Sequence, residues 1–196
     1  MQRLTLARTG LWVFAAGILA WTVANAQLGF WVNVATDLPI ACFAALAALG
    51  LRNAVDGFGP GRLRLGLALV ALGQGGQNVV SLLTKLSATN AAPILVVLAA
   101  SIALAIGAKR WFEDGWDEAA LPWVALGFAG FAFEPLYYFG LQVTQGNPFG
   151  VFFPGAVLVS VGGAVAAWSF RPGAQAEFDE DEPAEPARSR GGRAGT

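Results

Sequence analysis

The 196-residue chain is 56% hydrophobic and only 13% charged, with a formal net charge of −1, whereas about a quarter of residues carry charge in an average soluble domain. It has no histidine and a single cysteine, Cys42, which excludes a disulfide within the chain, Cys/His zinc sites, histidine-ligated haem and Ser–His hydrolysis. Its 25 glycines, 7 tryptophans and 14 phenylalanines suit membrane helices, which use small residues where they pack and aromatics at the bilayer interfaces.

Apolar segments fall at about 10–28, 34–51, 65–85, 92–108, 121–141 and 150–170. A helix needs ~20 residues to cross ~30 Å of hydrocarbon. The second and fourth segments are short and must borrow flanking residues; the other four reach that length unaided. No sustained period-2 alternation supports barrel strands. The expected fold is all-α: a polytopic integral membrane protein with six transmembrane helices as three helical hairpins, over residues 1–171.

Arg3 and Arg8 precede the first segment, which carries Trp12 and ends with Thr22 and Asn25 three residues apart on one face. Ala24-Asn25-Ala26 also resembles a signal-peptide cleavage site; removal there would leave five helices. The length of the stretch and its two tryptophans favour a retained span. Trp31, Asn33 and Asp37 follow, with Asp37 read as the cap of the second segment and Pro39 in its first turn. Cys42 is expected simply to pack. Arg52, Arg62 and Arg64 flank the glycine-rich run 56–61, which lacks the Gly-Lys-Ser/Thr ending of a phosphate loop and reads as a turn.

The third segment holds Gln74, Asn78, Ser81 and Lys85 at steps of four, three and four, with Gln77 alongside, a stripe down one face. Asn90 and Pro93 open the fourth, in which Ala99, Ala103 and Gly107 form a small-residue stripe suited to close packing. Lys109, Arg110 and Trp111 end it as a headgroup anchor. In the fifth, Glu134, Tyr138 and Gln142 recur every four residues, and Pro135 removes the helical bond to the carbonyl of Phe131. Asn147 and Pro148 precede the sixth, which carries Ala156, Ser160 and Ala164 and is followed by Arg171. Asn33, Asn90 and Asn147 are evenly spaced, an architectural period of three hairpins. Residues 172–196 turn acidic and then basic, with Pro and Gly throughout, and are expected to form a disordered cytoplasmic tail.

Arginine and lysine concentrate before the first segment and after the second, fourth and sixth, which places both termini in the cytoplasm: N-in/C-in, in a cell membrane. The aromatic belt expected from this topology uses Trp12, Trp111, Trp123 and Trp168 inside, and Trp31, Tyr138, Phe149 and Phe152 outside. Polar residues are confined almost wholly to the odd segments and lie at matching depth. Glu134, Gln77, Asn78, Gln74, Asn25 and Tyr138 are therefore the candidate ligand-binding residues, facing one another in the outer half of the membrane. Glu134 reads as the sole charge well inside a span, with Lys85 as its nearest basic candidate. The implied partners are the lipid bilayer, a small molecule or ion in this cluster, and a second copy or a membrane-complex subunit on the small-residue faces. No basic patch implies nucleic acid, no cofactor is expected, and nothing selects Glu134 and Tyr138 as a catalytic acid and base. Small-solute binding or transport is the leading function, and a non-catalytic scaffold subunit is the alternative.

Overall fold

A computed structural model describes residues 2–55, 60–84, 86–114, 118–146 and 150–171. Six α-helices occupy all six expected positions: α1 (Gln2–Gln27), α2 (Trp31–Val55), α3 (Pro60–Thr84), α4 (Ala91–Asp114), α5 (Leu121–Thr144) and α6 (Phe153–Ser169). A 3-10 turn, Glu118–Ala120, leads into α5. No strand occurs among the described residues. Five helices are long and apolar enough to cross a membrane, while α6 has 17 residues.

The helix ends differ from the apolar segments in a consistent way. α1 begins in the basic N-terminal stretch, α2 runs past Arg52, and α4 runs through Lys109 and Arg110. Backbone hydrogen bonding does not stop where hydropathy does, so the charged flanks continue the helices and lengthen α2 and α4. The short helix is instead α6. It starts at Phe153 with Pro154 in its first turn, after a turn at Val151 and Phe152. Asn90 does precede α4 directly. Its carbonyl accepts from Ile94 N (3.2 Å), while its side chain turns back to accept from Ser87 N (2.7 Å). Lys85, the 56–59 part of the glycine-rich run, Asn147, Pro148, Phe149 and the 172–196 tail lie outside the described residues.

The helices form a closed ring in chain order: each packs on its sequence neighbours, and α6 returns to pack on α1. The α1–α6 seam depends on glycine. A methyl at Gly10 would lie 2.7 Å from Ala166 N, and one at Gly155 would lie 3.0 Å from Gly17 O. Gly17 and Gly162 meet the opposite backbone as closely, so the two helices touch main chain to main chain. Gly29, at φ +76°, makes the tight α1–α2 reversal, with Phe30 N bonded to Asn25 O (2.8 Å).

The two ends of the ring are filled differently. Near the α2–α3 and α4–α5 connections, the interior is closed by aromatics. Phe14 meets Phe128 edge-on at 5.6 Å, Phe128 stacks with Phe170 at 6.3 Å, and Trp111 packs on Phe170 at 5.9 Å. Trp111 is 1% exposed, which corrects its assignment to an interfacial belt: it faces the core while its neighbours Lys109 and Arg110 face out. Trp31 and Trp168 are exposed at the bundle surface. Cys42 is also exposed there and does not pack inside.

Candidate functional site

Toward the end carrying the α1–α2, α3–α4 and α5–α6 connections, the ring does not close. A cavity of about 160 Å³ opens between the helices. α1 contributes Asn25 and α3 contributes Gln74, Gln77, Asn78 and Ser81, the polar stripe read from its sequence. α5 contributes Glu134 and Pro135. Ile18, Trp21, Phe131 and Val159 form the apolar part of the wall, and Phe131 continues into the aromatic plug by packing on Phe128 at 6.2 Å.

Two lining residues come from α2, where none was expected: Asn33 and Asp37. Asp37 is not a cap at a loop edge. The helix starts at Trp31 and runs through both Asp37 and Pro39. Glu134 is therefore not the only acidic group inside a span, and the even helices are not uniformly apolar. The sequence Asp37-Leu38-Pro39 imitates a helix start, because a cap followed by proline and a mid-helix proline read alike. Within a membrane bundle, a proline is accommodated inside a helix by its neighbours. The same holds at Pro135: it removes the bond to the Phe131 carbonyl, yet α5 continues through it from Leu121 to Thr144. The overlooked signal was the spacing of Asn33 and Asp37, four apart and on one helical face.

Asp37 is the hub of the hydrogen bonding. Asn25 Nδ2 donates to its Oδ2 (2.9 Å), Gln77 Nε2 donates to its Oδ1 (3.0 Å), and Asn33 Nδ2 donates to Asn25 Oδ1 (3.1 Å). The carboxylate thus ties α1 and α3 to α2. Both Asp37 oxygens thus act as acceptors, with the amide nitrogens of Asn25 and Gln77 turned toward them. Asn78 Nδ2 is spent on Gln74 O (3.0 Å). Thr22, although buried and near Asn25 in sequence, bonds its own helix at Ile18 O (2.9 Å) and stays out of the cavity.

Glu134 differs from Asp37. It lies across the cavity, close enough for the two acidic groups to interact electrostatically, yet no hydrogen bond to its carboxyl forms among the described residues. The Gln74 side chain, 7% exposed, is likewise without a hydrogen-bond partner there and lines the same space.

Tyr138 falls in a neighbouring groove of about 440 Å³, which shares Trp21, Asn25, Asn33 and Pro135 with the cavity. Gln142 and Gln145 carry this groove toward the end of α5, and Phe30, Phe139 and Phe152 give it aromatic walls. The α5 stripe therefore spans both spaces, Glu134 inside and Tyr138 and Gln142 further out. All six candidate residues border the two connected spaces, and five of them line the inner cavity. Tyr137, next in sequence, does something else: its hydroxyl donates to Thr89 O (2.8 Å) and pins α5 to the α3–α4 connection.

No protein-family model, curated protein or solved structure matches this chain. The site is therefore read on its chemistry alone.

Proposed function

We propose that this is a six-span, N-in/C-in protein of the cell membrane that binds a small solute in the cavity between its helices, for capture or transport. The observation that carries this reading is the cavity itself: Asn25, Asn33 and Gln77 are tied together through Asp37, but a space stays open beside them, and Glu134 and the Gln74 amide face it without a hydrogen-bond partner among the described residues. Polar groups that served only to hold helices together would be mutually satisfied, since an unsatisfied one costs free energy in hydrocarbon. Intramembrane ionisable groups facing a cavity are a usual feature of solute and ion pathways. The aromatic cluster beyond Phe131 closes one end of the space, which shares the walls of Trp21, Asn25, Asn33 and Pro135 with the groove.

The scaffold reading drew on the small-residue stripes of α4 and α6. Ala103 and Ser160 are buried inside this chain's own ring and Gly107 is spent against Val124 of α5, which leaves Ala99 and Ala164 as the members of those stripes exposed to a partner. The discriminating experiment is a thermal-shift screen of the purified full-length protein against amino acids, sugars, carboxylates and amines. At least one class should raise Tm in the wild type and fail to do so in Asn78→Leu, which replaces a polar wall group of the cavity with an apolar one. A wild type that no class stabilises, and that purifies with a fixed membrane partner, would support the scaffold instead.

A further inference from the structure

The hydrogen bonds around the cavity determine what it can still offer a ligand. Part of the donor capacity is already used: one N–H each of the Asn25 and Gln77 amides serves Asp37, and one of Asn78 serves the α3 backbone. Among the described residues, the acceptors left without a hydrogen-bond partner at the space are the Glu134 carboxyl and the amide oxygens of Gln74, Gln77 and Asn78. Among the described residues, none that lines the space is Lys or Arg. Two carboxyl groups thus face one space with no basic side chain among its described walls, an arrangement suited to a cationic ligand.

The space is too small for a bulky solute, since a cavity of about 150 Å³ holds a ring of roughly six carbons. It continues into the larger groove through the shared walls of Trp21 and Pro135, and that groove is aromatic. We propose that the ligand is a small organic ammonium with an apolar body. Its N–H groups donate to Glu134 and to the Gln77 and Gln74 oxygens, and its body lies in the groove among Trp21, Phe139 and Phe152. An aromatic face beside the charged head adds cation–π attraction. This inference rests on the solute-binding reading and gives that site its ligand class.

Titration calorimetry on the purified full-length protein tests it with benzylammonium, benzyl alcohol, benzoate and sodium chloride as probes. Benzylammonium should bind, benzyl alcohol and benzoate should not, and Glu134→Gln should weaken binding roughly tenfold or more, the worth of one charge-assisted contact. Equal binding of the alcohol, or unchanged affinity in Glu134→Gln, would overturn the ammonium assignment. So would binding of sodium without the amine. If a sugar, amino acid or carboxylate stabilises the protein while amines do not, the solute site stands and the cation inference fails; if nothing binds, both fail.

A second measurement needs no ligand. In a Cys42→Ala, Ser81→Cys protein, a cationic methanethiosulfonate should outpace an anionic one. The ratio should exceed that at an exposed Ser87→Cys control roughly tenfold and collapse toward the control in Glu134→Gln. A ratio equal to the control's would show that the cavity carries no preference for positive charge.

Discussion

Asp37 and Glu134 are both carboxylic acids in one cavity, and their surroundings give them opposite roles. Asp37 accepts from two side chains on two other helices, so its loss orphans the donors of Asn25 and Gln77. Each buried unsatisfied donor costs ~1–3 kcal/mol, and cavity water can recover part of that. Asp37→Ala should therefore lower unfolding stability by about 2 kcal/mol or more, measured by denaturation of the purified protein. Glu134→Gln, which keeps the shape and removes no hydrogen bond, should stay within about 0.5 kcal/mol of wild type. Equal destabilisation by both would mean that Glu134 is as structural as Asp37. Glu134 was legible in the sequence because an isolated charge inside an apolar run has few innocent explanations. Asp37 was not, because short-range sequence cannot separate a capping aspartate before a proline from a buried one beside a mid-helix proline. The distinction is made by Asn25 and Gln77, which arrive from other helices.

At the scale of the helix, hydropathy located all six elements but misjudged their ends. Apolar residues report contact with lipid or core, whereas helix length is set by backbone bonding and by where proline or a turn interrupts it. Hence α4 extends beyond residue 108 and α6 falls short of its apolar segment. Spacing along a face was the more reliable signal: Gln74, Asn78 and Ser81 all reach the cavity. The small-residue rule pointed to Ala156, Ser160 and Ala164 on α6, yet the close approach to α1 is made by Gly155 and Gly162, one heptad apart and facing Gly10 and Gly17. A glycine's packing role depends on what lies opposite, which the sequence of one helix does not contain. Two substitutions separate the cases. A side chain at Gly162 would run into the Phe14 backbone, so Gly162→Val should cost more than about 2 kcal/mol and open the α1–α6 seam, seen as a lowered Tm. At Gly76 an added methyl meets nothing within 4 Å, so Gly76→Ala should raise stability by about 0.5–1 kcal/mol. If both variants lowered Tm alike, the backbone contact at the seam would not be what closes the ring.

For the whole molecule, the closed ring joins two features that hydropathy treats separately: which end of the bundle is basic, and which end is hollow. The basic residues Arg8, Arg62, Arg110 and Arg171 collect at the end that Phe14, Phe128, Phe170 and Trp111 fill, and the cavity opens toward the other. If the basic end is cytoplasmic, as the positive-inside rule requires, the cavity faces outward and is sealed from the cytoplasm. α6 is compatible with a sixth span only under a local condition. Its 17 residues cover about 25 Å, short of the ~30 Å hydrocarbon core, so the bilayer must thin there or flanking residues must make up the difference. Half-buried Arg171 and exposed Trp168, with the guanidinium carbon 4.0 Å from the ring centroid, provide such a flank at its end. The orientation can be tested in intact cells with single cysteines in a Cys42→Ala background. Ser87→Cys, in the α3–α4 connection, should react with a membrane-impermeant maleimide added outside, whereas Arg110→Cys and Arg171→Cys should react only after the membrane is permeabilised. Reaction of Arg171→Cys from outside while Arg110→Cys stays protected would mean that α6 does not cross, and would leave the ring with five spans and one helix lying against them.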